Sequence, residues 1–160
     1  IVELKDGRLW CLVRTEKGIG QSFSSDYGLT WSKENRILMD GPSSRFFIRR
    51  LSSRNLLMVY HQPNQDNINI RENLTAWLSK DDGKTWEGGL LLDDRSEVSY
   101  PDGCESDGYI RIIYDHNRYK AGDILMAKFT EADVLAGRIV SADSKLKQIV
   151  NTTGGNENNK

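Results

Sequence analysis

The sequence predicts an almost entirely β protein, and three observations support this prediction. Its 160 residues are 38% hydrophobic and 28% charged, which is typical of about one globular domain. Its apolar runs, such as residues 56–60, have the length of a strand and stay far below the roughly 20 residues that cross a bilayer. An eight-residue pattern also occurs twice, at a spacing that suits stacked sheets.

The charge balance and the residue counts exclude several classes of function. The 22 Lys and Arg residues against 23 Asp and Glu give a formal net charge of -1, so neither nucleic acid nor an anionic membrane is an expected partner. Cys11 and Cys104 lack the spacing of a zinc or redox site. His61 and His116 are too few for a His-rich metal centre and are expected to be strand-end residues bonded to backbone. We predict no cofactor and no metal.

The repeated pattern is the strongest signal in the chain. Residues 24–31 and 79–86 both read Ser-x-Asp-x-Gly-x-Thr-Trp, and Asp26 and Asp81 are 55 residues apart, close to the ~40 to 50 residues of one propeller blade. One Asp-x-Gly would indicate only a hairpin turn, but two copies that agree at all five positions favour a structural repeat. The defining residues are Ser24, Asp26, Gly28, Thr30, Trp31, Ser79, Asp81, Gly83, Thr85 and Trp86.

Each shared position of the pattern has a physical role in a tight turn. The carboxylate accepts backbone N–H groups, and the glycine supplies a positive φ. Trp31 and Trp86 are expected to be buried beneath their turns, where an indole removes ~150 to 250 Å² from water. Each tryptophan would thereby fix the point at which the next strand begins.

Strand-sized segments bounded by turns divide the chain into three units. We predict a partial β-propeller at 1–150, with blades at about 1–43, 44–96 and 97–150, followed by a polar tail at 151–160. The predicted strands are 1–4, 9–14, 19–23, 46–51, 56–61, 75–78, 109–115 and 123–129. The third unit begins at Val98 and lacks the eight-residue pattern. Thr130 is expected to cap a short helix that includes residues 134–136. Closed propellers use 4 to 8 blades, so completing the ring would need further N-terminal blades of the same protein or a partner chain.

The two eight-residue patterns, which are about one blade apart, resemble the Asp boxes, or BNR repeats, of the sialidase (neuraminidase) superfamily of six-bladed β-propellers. We call each pattern a box. The resemblance covers nearly the whole chain and implies that it corresponds to the C-terminal half of such a propeller. In that family the boxes lie away from the catalytic face, so Asp26 and Asp81 are expected to be structural. The superfamily contains exo-glycosidases for terminal sialic-acid-type sugars and also non-catalytic propellers.

The resemblance also implies candidate site residues. The family holds the substrate carboxylate with three arginines and uses a tyrosine nucleophile, an assisting glutamate and an aspartate acid/base. Arg14 matches one triad arginine, and Arg71 is similar in position to the last one. The segment Val98-Ser99-Tyr100 resembles the one that carries the nucleophile, so Tyr100 is the expected nucleophile. The remaining members would lie upstream of Ile1, and the chain is therefore expected to be inactive by itself.

Departures from the family pattern leave alternatives open. Pro101-Asp102-Gly103 replaces the small hydroxyl and apolar residues that commonly follow the nucleophile, so the sugar is not fixed. Tyr100 could instead pack between blades, and the two arginines could be solvated strand ends. Three carboxylates near Tyr100 could tune it or replace the glutamate, and four other arginines compete for the predicted roles. These residues are Glu97, Asp102, Asp115, Arg45, Arg49, Arg50 and Arg118.

The chemistry of such a site follows from general principles. A carboxylate beside the anomeric carbon repels an anionic nucleophile, and a phenol that is neutral until a base takes its proton avoids this repulsion. Guanidinium forks bind a carboxylate through two parallel charge-assisted hydrogen bonds. We expect the parent protein to be a retaining exo-glycoside hydrolase that acts on a glycan with a terminal acidic sugar. The sequence does not determine its location, and a secreted or periplasmic one would suit a glycan substrate. A non-catalytic glycan- or protein-binding propeller, or a hydrolase or lyase for another uronate-containing glycan, are the alternatives.

Overall fold

The computed structural model describes residues 1–33 and 37–152. These residues form three antiparallel sheets of four strands each and one short helix, which confirms the prediction of an almost all-β fold. No helix in these two ranges is long and apolar enough to span a membrane. Of the predicted polar tail, Asn151 and Thr152 belong to the last strand, and residues 153–160 lie outside the described residues.

Each sheet is a simple up-and-down meander in which consecutive strands pair. Sheet 1 contains β1 (Val2–Glu3), β2 (Leu9–Thr15), β3 (Gly18–Ser24) and β4 (Ile37–Asp40). Sheet 2 contains β5 (Phe47–Arg50), β6 (Leu56–His61), β7 (Leu74–Ser79) and β8 (Glu87–Asp93). Sheet 3 contains β9 (Val98–Ser106), β10 (Tyr109–His116), β11 (Asp123–Phe129) and β12 (Lys145–Thr152), and α1 (Glu131–Ala136) lies between its last two strands.

The middle sheet is packed on both faces. In β6, Leu56 and Met58 join the hydrophobic cluster shared with sheet 1, whereas Leu57 and Val59 join the cluster shared with sheet 3. Alternate strand residues point to opposite faces, so a continuous apolar run in β6 serves two cores at once. Sheet 2 is therefore held between sheets 1 and 3.

The first strands of the three sheets lie next to one another. The first strand of sheet 1, β1, contacts β5, and β5 in turn contacts β9. The helix α1 packs on β7 and β8 near the opposite edge of sheet 2. Its N-cap, Thr130, forms a capping box with Asp133, and Gly137 ends the helix in the left-handed conformation.

The meander places the connections at two opposite ends of each sheet. The connections β3–β4 and β7–β8 carry the two boxes, and we call this end the box end. The connections β2–β3, β6–β7 and β10–β11 lie at the other end, the loop end, as do the segments that lead into β5 and β9. Because a seven-residue strand such as β3 spans about 20 Å, the two ends are well separated.

Candidate functional site

The two boxes share one hydrogen-bond network. In the first box, the Ser24 hydroxyl donates to Asp26 Oδ1 at 2.8 Å and accepts from the Gly28 backbone N–H at 2.8 Å. The Thr30 backbone N–H and hydroxyl both donate to the Asp26 carboxylate, and this hydrogen bonding lowers the pKa of Asp26 to about 2. The second box repeats each of these bonds, and the lowered pKa, among Ser79, Asp81, Gly83 and Thr85.

The surroundings of the boxes differ. Trp31 is 38% exposed, so the prediction that it is buried beneath its turn is wrong; its indole N–H donates to the Gly28 carbonyl of the same turn. Trp86, in the second box, packs against the core of sheet 1. In the same turn, Asp82 accepts from the Lys5 backbone N–H at 2.7 Å. The second box therefore joins sheet 2 to sheet 1 and has a structural role.

The backbone at Tyr100 is irregular. Ser99 is paired with Asp115 and Asp102 with Ile113, so the two residues between Ser99 and Asp102 face only one residue of β10. This is a β-bulge, which redirects the side chains that it carries. Tyr100 has a φ of 55°, a left-handed conformation that costs a residue with a Cβ roughly 1–2 kcal/mol. Eight other non-glycine residues of the described chain share this conformation, among them Asp82 in the second box. The Tyr100 side chain is 40% exposed at the loop end.

Arginine side chains surround the Tyr100 ring. The Arg118 guanidinium carbon lies 4.1 Å from the ring centroid, and that of Arg45 lies 6.0 Å from it. Hydrogen bonding to Arg118 and the Arg118 charge lower the pKa of the Tyr100 hydroxyl, and the charges of Arg71 and Arg14 act in the same direction. The loop end therefore presents a tyrosine in a positive electrostatic environment.

Three of these arginines come from equivalent places in the three sheets. Arg14 is near the end of β2, Arg71 precedes β7 and Arg118 follows β10. Each arginine therefore lies where the second strand of its sheet is connected to the third strand. The β2, β6 and β10 strands all run toward the loop end, which brings these residues to the same side of the molecule as Tyr100. Sequence reasoning selected Arg14 and Arg71 through the resemblance, but it named Arg118 only as a competitor.

The partners of the arginines differ in charge. Arg71 donates to two neutral oxygens, the Ser99 hydroxyl at 3.2 Å and the Ser43 carbonyl at 3.1 Å. Arg14 forms no ion pair within residues 1–33 and 37–152. Arg118, in contrast, is bound by the carboxylate of Asp115, with the Nε to Oδ2 distance at 2.7 Å. The charges on Arg71 and Arg14 are thus available to an anionic ligand.

The other competing arginines have different environments. Arg45 lies 3.8 Å from Asp102, and both side chains are largely exposed. Arg49 donates to the Gly103 carbonyl at 3.4 Å. Arg50 pairs with Asp82 at 2.8 Å and therefore strengthens the contact between sheets 1 and 2. Of these three, only Arg45 reaches the Tyr100 ring.

Two clefts lie near Arg118. One, of about 350 Å³, is lined by Tyr100 together with Ile113, Tyr114, Asp115, Arg118 and Ile124. The other, of about 310 Å³, does not have Tyr100 among its lining residues. It is lined by Arg71, Arg118, Ser99, Asp115 and Glu97, together with Asn69, Ile70, Ser96 and Tyr119. In the described part of the chain no carboxylate forms a hydrogen bond with the Tyr100 hydroxyl, so neither Glu97 nor Asp102 nor Asp115 takes the position expected of the assisting glutamate. Among the same residues, no cluster of His, Cys, Asp and Glu could hold a metal ion.

The two histidines have structural surroundings. His61 is buried, and its Nε2 lies 2.9 Å from the Val98 carbonyl, which joins the end of β6 to the start of β9. Burial lowers the pKa of His61 to about 4, so the ring is neutral and its Nε2–H donates to the carbonyl. His116 pairs with the Asp123 side chain at 3.3 Å rather than with backbone. Neither histidine contributes to the cluster around Tyr100.

The repeated box turns on four-stranded antiparallel sheets define the class of protein. A family model described as a BNR repeat-like domain matches residues 1–112, and the chain belongs to this family. The match confirms the prediction of BNR repeats; it includes Tyr100 and ends before Arg118. A search of curated proteins found no match. Membership in the family is compatible with a sialidase-like or a glycan-binding protein.

Proposed function

We propose that this chain is the C-terminal part of a sialidase-like six-bladed β-propeller and that the parent protein is a retaining exo-glycoside hydrolase. Its substrate is a glycan with a terminal sugar of the sialic-acid type. The observation that carries this proposal is the position of Tyr100 beneath the Arg118 guanidinium, 4.1 Å from the ring centroid, at the end of the sheets where Arg14 and Arg71 also lie. A strained tyrosine among guanidinium groups suits a carboxylate-bearing substrate.

The packing of the sheets supports the propeller. Consecutive four-stranded meanders pack face to face with their first strands adjacent, as blades do around an axis. The first box exposes Tyr27, Leu29 and Trp31, whereas the corresponding turn of the second box is docked on the preceding sheet. We therefore propose that a further blade of the same protein covers the first box.

In the proposed reaction, Arg71 and Arg14 bind the sugar carboxylate and orient the anomeric carbon toward Tyr100. The Tyr100 hydroxyl gives its proton to the assisting glutamate, which we assign to a part of the parent protein outside this sequence, and its oxygen forms a bond to the anomeric carbon as the glycosidic C–O bond breaks. The leaving oxygen keeps that electron pair and takes a proton from a general acid, which we assign to an aspartate of another blade. Water then displaces the tyrosine from the opposite side, and the two inversions give retention.

The test measures hydrolysis of a fluorogenic sialoside by the full-length protein that contains this sequence. The Tyr100→Phe variant keeps the ring but has no nucleophile, so we expect kcat to fall at least about a thousandfold. Tyr109→Phe, at the box end of β10 where its hydroxyl contacts Asp143, is the matched control and is expected to retain full activity. Undiminished hydrolysis by Tyr100→Phe would remove the nucleophile assignment.

A second candidate function is glycan binding without catalysis. It is favoured by the family match over residues 1–112, which is compatible with a glycan-binding protein as well as with a sialidase-like one. A binding protein would still use Arg71 and Arg14 to hold an acidic sugar. It would bind sialosides and release no sugar, and Tyr100→Phe would leave its affinity unchanged.

A further inference from the structure

Two oxygens from distant parts of the chain hold the guanidinium of Arg71. Its Nη1 donates to the Ser99 hydroxyl of β9 at 3.2 Å, and its Nη2 donates to the carbonyl of Ser43, in the segment before β5, at 3.1 Å. Each partner is 28 positions from Arg71 in the sequence, so both bonds depend on the tertiary structure. A long arginine side chain would otherwise sample many rotamers, and bonds to two fixed atoms restrict it.

These two partners hold Arg71 without cancelling its charge. A hydroxyl and a carbonyl are neutral, whereas Arg118 is bound by the carboxylate of Asp115. A carboxylate partner would compete with the carboxylate of a ligand for the same guanidinium. The bonds to Ser99 and Ser43 use two of the five N–H groups of the guanidinium, and a bidentate grip on a carboxylate needs two more. Arg71 is therefore fixed and still able to bind an anion.

Ser99 is the partner that acts through its side chain. It is 4% exposed, and a buried hydroxyl is costly unless it is hydrogen-bonded, which the bond from Arg71 provides. Its backbone is anchored in sheet 3, where Ser99 is paired with Asp115 of β10. Ser99 and Tyr100 are consecutive residues, so the bond ties the Arg71 guanidinium to the strand segment that carries Tyr100.

We propose that Ser99 is a positioning residue, which holds Arg71 in the orientation that binds the carboxylate of an acidic sugar. The inference rests on the proposed function, from which it takes the role of Arg71 and the class of ligand. Arg71 and Ser99 both line the cleft of about 310 Å³, so the fixed guanidinium borders a space that is open to a ligand. Ser99 acts on the sugar only through Arg71.

The loss of this preorganisation should weaken binding and leave the chemical step unchanged. Without the Ser99 hydroxyl, the Arg71 side chain loses more rotamer freedom when the ligand binds, and this loss lowers the affinity. The sugar carboxylate is present in the substrate and in the transition state, so both lose the same binding free energy. The effect therefore falls on KM and not on kcat. We expect KM to rise about three- to tenfold.

The first experiment measures hydrolysis of a fluorogenic sialoside by the full-length protein and its Ser99→Ala variant. Ser106→Ala is the matched control, because Ser106 is at the opposite end of β9 and its hydroxyl accepts a hydrogen bond from Arg111 Nη1 at the same distance, 3.2 Å. We expect the raised KM in Ser99→Ala and the parent's KM in Ser106→Ala. An unchanged KM in Ser99→Ala, or a lower kcat at an unchanged KM, would overturn the inference.

A double-mutant cycle shows whether Ser99 acts through Arg71. Arg71→Ala alone should raise KM more than Ser99→Ala does, because it removes the guanidinium itself. When Arg71→Ala is already present, Ser99→Ala should have no further effect on KM, since the residue through which it acts is gone. If the two effects on KM instead multiply in the double variant, Ser99 acts independently of Arg71 and the inference is wrong.

Binding without turnover separates this inference from the proposed function. The probes are the methyl glycoside of a sialic acid and its methyl ester, which lacks the negative charge, and calorimetry measures their Kd with full-length Tyr100→Phe. Adding Ser99→Ala should raise the Kd of the acid about three- to tenfold and leave that of the ester unchanged. Equal losses for both ligands would overturn the inference. If this pattern appears but the parent protein hydrolyses no sialoside, the proposed function fails and the role of Ser99 stands.

Discussion

At the scale of single residues, Tyr100 combines features that rarely occur together. It is partly exposed, has a positive φ, lies at a β-bulge and is covered by a guanidinium. The left-handed backbone costs stability that packing elsewhere must offset. The resemblance indicated Tyr100 from its sequence context. The bulge was not predictable, because the pattern of residues 98–106 does not show where the register with β10 shifts.

Arg118 illustrates what sequence proximity cannot provide. It is 18 positions after Tyr100, and only the hairpin between β9 and β10 brings the two together. The sequence placed Asp115 near Tyr100 as a group that could act on it directly. In the structure Asp115 acts on Arg118 instead. Which of several nearby charges contacts which depends on side-chain direction, and a strand pattern with a bulge does not determine that direction.

His61 gives a pH dependence at the same scale. Burial lowers its pKa from an ordinary value of 6.5 to about 4. Between these values the unfolded chain binds a proton that the folded chain does not, so the free energy of unfolding decreases as the pH falls from 6.5 to 4. Urea unfolding of the 160-residue chain across this range measures the slope. We expect His61→Gln to lose most of it, and an equal slope in the variant would show that other groups cause the dependence.

At the scale of elements, the box is a turn whose internal structure is encoded locally. Its serine, aspartate, glycine and threonine form the same bonds in both copies, although the surroundings of the copies differ. The eight-residue pattern therefore predicted the turn. It did not predict the exposure of Trp31, because that depends on whether another sheet lies against the turn.

The outermost strand of each sheet was also missing from the sequence prediction. The strand β8 begins with Glu87 and two glycines, and β12 exposes residues on both faces. Edge strands of this kind lack the alternation of buried and exposed residues that identifies an inner strand. The inner strands β2, β6 and β10 have strong patterns and were predicted to within one residue at each end.

Matched glycine substitutions test the docking of the second box. Gly28 and Gly83 occupy the same position in the two turns, with φ of 89° and 82°. A Cβ at Gly83 would lie 2.5 Å from ring carbons of Trp10, whereas one at Gly28 would be at 3.6 Å or more from its neighbours. We expect Gly28→Ala to lower the free energy of unfolding by roughly 1–2 kcal/mol through backbone strain alone. Gly83→Ala should add roughly 1–3 kcal/mol of overpacking.

Chemical denaturation of the 160-residue chain measures the free energy of unfolding of both variants. The difference between them reports the contact between the second box and sheet 1, because the strain term is common to both. Equal destabilisation by the two substitutions would mean that the second box does not rest on Trp10.

At the scale of the whole molecule, the candidate site exists only when the sheets are assembled. The arginines around Tyr100 come from all three sheets: Arg14 from sheet 1, Arg45 and Arg71 from the connections of sheet 2, and Arg118 from sheet 3. The cores that position these arginines lie between the sheets, on the two faces of β6. The resemblance indicated Arg14 and Arg71 as candidates. The position of Arg118 over the Tyr100 ring became clear only from the tertiary structure.

The most direct test of the central claim is covalent trapping at Tyr100. A fluorinated sialic acid analogue that slows the second step should accumulate the glycosyl-enzyme in the full-length protein, and peptide mass spectrometry locates the attached sugar. We predict one sugar per protein, on the phenolic oxygen of Tyr100, and none in Tyr100→Phe. A sugar attached to another residue, or hydrolysis of sialosides with Tyr100 unmodified, would contradict the account.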